Sequence, residues 1–135
     1  MDMNGSAPVE TKVMVVDDDP AVLSYLAMVL KTIKFSPILA ANAGEAMVKF
    51  RSGEKVELLI SDVRMPGGMD GFELARTIRE EKPDLPILLI SGYTDITDEE
   101  TRGLFDEPKV GFIPKPFSKF QLESKLHSLL APAHA

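Results

Sequence analysis

The chain has 135 residues, 44% apolar and 27% charged, with a formal net charge of −6 and no cysteine. This is the size and balance of one globular domain with a real core, and it excludes disulfides and thiolate metal sites. No apolar stretch approaches the roughly 18 residues of a membrane span, and scattered Lys and Arg argue against nucleic acid as a direct partner.

The start, MDMNGSAPVET, lacks the basic and apolar regions of a secretory signal, so a cytoplasmic setting is expected. Residues 1–11 read as a flexible segment, 12–131 as the domain and 132–135 as a flexible tail. The first strand-like run is Lys12–Asp17, after which Asp19 can cap a helix with Pro20 at its first position. Val22, Tyr25, Leu26, Val29, Leu30 and Ile33 give that helix an apolar stripe. A strand at Ser36–Ala40 precedes a second helix marked by Ala43, Ala46, Met47 and Phe50, capped by Asn42 and ended by Gly53. Leu58–Asp62 is the third strand. Asp70 and Gly71 make a turn into a third helix, carried by Leu74, Ala75 and Ile78 and stopped before Pro83.

Ile87–Ser91 is the fourth strand. The next segment, DITDEETRGLFDEPK at 95–109, is expected to hold a short, weakly held helix. Its apolar face is only Ile96, Leu104 and Phe105, and Gly103 inside it costs about 1 kcal/mol relative to alanine. Val110–Ile113 forms the fifth strand. Ser118 opens a last helix with Leu122, Leu126, Leu129 and Leu130 inward. Several strands are apolar at consecutive positions, as strands covered on both faces are. Five strands alternating with helices therefore predict an α/β fold: a doubly wound five-stranded parallel sheet with helices on both faces.

In such a sheet ligands bind beyond the carboxyl ends of the strands. Asp17, Asp18, Asp62, Ser91 and Lys115 all fall at or just past those ends. Carboxylates about 4 Å apart repel by roughly 4 kcal/mol at an effective dielectric near 20, so the cluster takes up protons or holds a cation. Oxygen ligands without Cys or His favour a hard ion, Mg²⁺. Asp62 fits the role of a nucleophile forming an acyl phosphate. Lys115 fits the ammonium that neutralises the group in flight and Ser91 the hydroxyl that donates to it, while the small Gly92 leaves room for approach.

VVDDDP at 15–20, SDVRMPGGMDG at 61–71, SGYTD at 91–95 and FIPKPF at 112–117 together resemble the signature segments of the response-regulator receiver domain, in order and spacing, from about Lys12 to Leu130. The resemblance implies a flavodoxin-like strand order 2-1-3-4-5. It implies a two-component phosphorelay switch in which Asp62 accepts a phosphoryl group from a histidine kinase or a histidine phosphotransfer protein. Mg²⁺ would be held by Asp18, Asp62 and the main-chain carbonyl of Arg64, with Asp17 acting through water. Ser91 would be the switch hydroxyl, Lys115 the family's lysine, and Phe112 the aromatic that swings inward when Ser91 engages phosphate. The Lys115–Pro116 bond is usually cis in the family. A downstream protein target would read the face made by the helix over 95–109, the fifth strand and the last helix. Such a chain catalyses only its own phosphotransfer and dephosphorylation.

The chain departs from the commonest pattern in five places. Ser91 stands where threonine is more frequent, Arg64 and Tyr93 occupy positions that tune dephosphorylation, PGGMDG is one residue longer than usual, and Pro114 removes a backbone donor beside Lys115. Two other functions compete. A haloacid-dehalogenase-like phosphatase would use Asp17 as nucleophile, although Ala21 replaces its usual Thr or Val. An interaction module without phosphorylation would keep the shape and lose the chemistry. Asp19 reads as a cap only, His127 and His134 as histidines without a role, and the seven methionines as core filler. PGGMDG and SGYTD look similar to receivers fused to hybrid sensor kinases; a free-standing regulator is the other expectation.

Overall fold

A computed structural model describes residues 11–65, 68–92 and 108–130. The strands are β1 (Thr11–Val16), β2 (Phe35–Ala40), β3 (Leu58–Asp62), β4 (Ile87–Ser91) and β5 (Val110–Pro114). The helices are α1 (Pro20–Thr32), α2 (Ala43–Arg51), α3 (Gly71–Glu81) and α4 (Lys119–Leu130). The sheet is parallel throughout, in the order β2-β1-β3-β4-β5. Every strand end predicted from the sequence lies within one residue of the observed one. The helix expected over 95–109 lies outside the described residues, except for Pro108 and Lys109, which form the turn into β5.

Period-2 alternation sorts each central strand between two cores. Met14, Val16, Leu59 and Leu89 face α2 and α3, packing with Ala46, Met47, Leu74, Ala75 and Ile78. Val13, Val15, Leu58, Ile60, Leu88 and Ile90 face α1 and α4, packing with Leu26, Leu30, Leu122 and Leu126. Burial on both faces explains the consecutive apolar runs Leu58–Ile60 in β3 and Ile87–Ile90 in β4. The edge strand β2 is only half-buried over most of its length.

Local signals start each helix where the sequence places them. Asp19 accepts from Ala21 N at 2.9 Å, and Asn42 accepts from Glu45 N at 2.7 Å. Ser118 and Gln121 bond reciprocally at 3.1 and 2.8 Å. Asp70 and Glu73 form a full capping box on α3. Asp70→Ala is expected to lower stability by about 1 kcal/mol, read as a shift of the urea midpoint with no change in slope. Gly53, at φ 102°, turns the chain after α2.

Two expectations need correction. Met28 is exposed, so the methionines are not all core filler. Tyr25 is also partly exposed, with the ring of Phe117 beside it at a centroid distance of 6.3 Å. In contrast, Arg79 lies on the buried stripe of α3 with Phe72 and Ala75. Its guanidinium donates to the carbonyls of Leu85, at 2.8 Å, and of Pro108. Among the described residues no helix is long and apolar enough to cross a membrane.

Candidate functional site

Because all five strands run the same way, their carboxyl ends share one edge. Asp17 follows β1, Asp62 ends β3, Ser91 ends β4 and Lys115 follows β5. The chain leaves β1 toward β2 on one side and returns to β3 on the other, so Asp17 and Asp62 flank the point where strand order reverses. Ladder pairing fixes the heights, with Val16 opposite Ser61, Asp62 opposite Ile90 and Ser91 opposite Pro114.

Asp17, Asp18 and Asp62 each bring a carboxylate oxygen to within 4.8 Å of the other two. Lys115 Nζ lies 3.4 Å from Asp62 Oδ1 and 3.9 Å from Asp17 Oδ2. Asp17 is 1% exposed and Asp62 5% exposed, whereas Asp18 faces solvent. Asp17 Oδ1 accepts from Asp19 N at 2.9 Å, and the Asp62 carboxylate accepts from the main-chain N–H of Arg64. Burial raises the carboxyl groups of both Asp17 and Asp62 above the ordinary carboxylate range. In Asp17, neighbouring Asp62 adds to the rise while the Asp19 N–H and Lys115 oppose it; in Asp62, Lys115 is the main opposing influence.

Two buried side-chain oxygens have no hydrogen-bond partner among the described residues: Asp17 Oδ2 and Ser91 Oγ. Buried polar atoms are ordinarily satisfied, so orphans on one edge indicate groups built to meet something else. An all-oxygen carboxylate set with an unsatisfied oxygen fits a hard divalent cation. A free buried hydroxyl one strand away fits an anion's oxygen.

The main chain of Lys115 donates to Ser91 O at 3.0 Å, tying the lysine to the end of β4, and its bond to Pro116 is cis. Pro114 sits on an edge strand, where a missing donor is tolerated. Phe112 is buried, with its ring centroid 6.4 Å from that of Phe72. Arg64 is exposed directly after Val63, Gly92 is half-buried, and Asp19 serves as the α1 cap. Tyr93 and His134 lie outside the described residues, and His127 is exposed on α4. Reading the sequence for chemistry missed the apolar rim beside the pocket. Ala21, Val22, Tyr25, Pro116 and Phe117 surround a depression of about 520 Å³ that reaches Lys115. Its signal was available as an aromatic on the first stripe and a phenylalanine two after the lysine.

A doubly wound α/β domain with an acidic, lysine-bearing pocket at its switch point is thus defined by geometry alone. The chain belongs to the response regulator receiver domain family, which it matches over residues 13–127, and it is a receiver domain of two-component signalling. It is 35% identical over 130 residues to the sensor kinase CckA of Brucella abortus, covering 96% of this chain and 13% of that protein. It is 30% identical over 117 residues to the heme response regulator HssR of Staphylococcus aureus, covering 87% of this chain and 50% of that one. The chain therefore spans half or less of these relatives' lengths. Among solved structures it superposes on the chemotaxis protein CheY4 of Vibrio cholerae with a TM-score of 0.79 at 27% identity, covering 90% of this chain and all of that one. A response regulator receiver protein from Pseudomonas putida gives 0.78 at 30% identity, covering 90% and 99%.

Proposed function

We propose that this domain is a phosphorylation switch that accepts a phosphoryl group on Asp62 from a phosphohistidine of a kinase or histidine phosphotransfer protein. The observation that carries this reading is the placement of Lys115 Nζ 3.4 Å from Asp62 Oδ1, inside the carboxylate cluster. An Asp62 oxygen forms the new P–O bond as the P–N bond to the donor imidazole breaks. The electron pair stays on the ring nitrogen, which takes up a proton. Lys115 neutralises charge on the phosphoryl oxygens, and the unpartnered Ser91 hydroxyl donates to one of them. Asp17, Asp18, Asp62 and the Arg64 carbonyl are the groups that would hold Mg²⁺, which when bound supplies positive charge against the cluster and the incoming phosphate.

The apolar rim at Ala21, Val22, Tyr25, Pro116 and Phe117 gives the donor protein a surface beside the acceptor. Engagement of Ser91 moves Phe112 and biases the face made by β5 and α4, through which a downstream protein reads the state. The domain acts on no outside substrate beyond its own transfer and loss of phosphate. It spans 12–131 and works in the cytoplasm, where such donors reside. Incubation with acetyl phosphate and Mg²⁺ is expected to add the mass of one phosphoryl group, mapped to the Asp62 peptide and absent with a chelator. A chain that stays unlabelled with Mg²⁺ present would count against the proposal and leave a non-phosphorylated interaction module.

A further inference from the structure

Two features outside the pocket meet on one atom, the main-chain carbonyl oxygen of Asp62. Ser61 precedes Asp62 on β3 and is fully buried after the apolar run Leu58–Ile60. Its hydroxyl donates to Asp62 O at 2.9 Å. From the other direction, Gly71 at the start of α3 lies against the same atom. A Cβ at Gly71 would stand 2.1 Å from Asp62 O and 2.8 Å from Val63 Cα. Gly71 is not among the glycines with positive φ, so any residue could adopt its backbone. Glycine is required there by the approach alone. Gly71 N also donates to Val63 O at 2.9 Å, which seats the first turn of α3 directly on the exit of β3.

From this we infer that Ser61 and Gly71 are positioning residues that clamp the Asp62–Val63 main chain and so aim the Asp62 carboxylate at its reaction partners. The inference rests on the phosphoacceptor reading of Asp62. The side chain of a strand-end residue inherits its direction from a main chain that the ladder no longer holds on both sides. Asp62 must stay beside Lys115 and within reach of Asp17 and Asp18. Misplacement of a reacting group by about 1 Å can cost on the order of 100-fold in rate. A buried hydroxyl costs free energy unless it is hydrogen-bonded, and the acceptor Ser61 uses is the Asp62 carbonyl itself.

The test is single-turnover labelling by acetyl phosphate at saturating Mg²⁺, with donor varied, on the wild-type chain, Ser61→Ala and Gly71→Ala. The saturating rate is expected to fall about tenfold in Ser61→Ala, and at least as far in Gly71→Ala, with the half-saturating donor concentration unchanged. The amide signals of Asp62 and Val63 should shift in both. Ser52→Ala removes a comparable hydroxyl bond, to Lys49 O at 2.8 Å, on the exposed end of α2 and should label at the wild-type rate. Because Gly71→Ala can fail to fold, Ser61→Ala decides. A Ser61→Ala chain that melts lower yet labels as fast as wild type overturns the inference alone. A wild-type chain that takes no label overturns the phosphoacceptor reading and this inference with it.

Discussion

Asp62→Ala is expected to reduce labelling by acetyl phosphate to background, while Lys115→Ala and Ser91→Ala slow it by about 100-fold and leave the site of attachment unchanged. The difference follows from what each group does. Asp62 supplies the oxygen of the new bond, and no neighbour stands in for it. Asp17 is 1% exposed with one oxygen already committed to the Asp19 N–H. Asp18 faces solvent. Lys115 and Ser91 meet only the charge that develops on the phosphoryl oxygens, so removing either weakens the transition state without removing the nucleophile. Lys115 also opposes the burial-driven rise of the Asp62 carboxyl; its loss leaves Asp62 protonated to higher pH, and Lys115→Ala should label relatively better as pH rises. Label appearing on Asp17 in the Asp62→Ala chain would revive the phosphatase reading and refute the assignment of the acceptor.

The fold was legible because its signals are local and repeated. Short consecutive apolar runs such as Leu58–Ile60 and Ile87–Ile90 are what strands buried on both sides look like. Asp19, Asn42, Asp70 and Ser118 mark helix starts through short-range bonds that depend on little else. The pocket residues were legible because a parallel sheet puts every strand's carboxyl end on one edge, so Asp17, Asp62 and Lys115 meet despite their separation in sequence. What escaped depends on tertiary detail. Periodicity says which way Tyr25 points, and not whether anything lies over it. Arg79 stands on an apolar stripe, and only the folded chain supplies the carbonyls of Leu85 and Pro108 that satisfy it. Ser61 reads as one more strand residue until α3 is seen against the carbonyl its hydroxyl bonds.

The cluster that enables the chemistry should also weaken the metal-free fold in a pH-dependent way. Burial raises the carboxyl groups of both Asp17 and Asp62 in the folded state. A folded-state value above the unfolded one means the native chain holds these protons more tightly. Their contribution to stability is therefore fully present below the ordinary carboxylate value near 3.8, and it is lost as pH rises through the raised folded values. As these groups lose their protons they meet each other across the cluster, opposed by Lys115 and by the main-chain N–H groups of Asp19 and Arg64. Asp17→Asn keeps the size of the side chain and removes one charge. In the presence of a chelator it is expected to raise neutral-pH stability by about 1–3 kcal/mol, the scale of one partly screened carboxylate repulsion. It should also flatten the dependence between mildly acidic and neutral pH. Magnesium at about ten times its dissociation constant should stabilise the wild-type chain by roughly 1.4 kcal/mol, and the variant by clearly less. Urea unfolding at several pH values, with chelator or with Mg²⁺, separates these effects. A metal-free Asp17→Asn chain no more stable than wild type at neutral pH would show that Lys115 already neutralises the cluster, and that no cation is needed to hold it together.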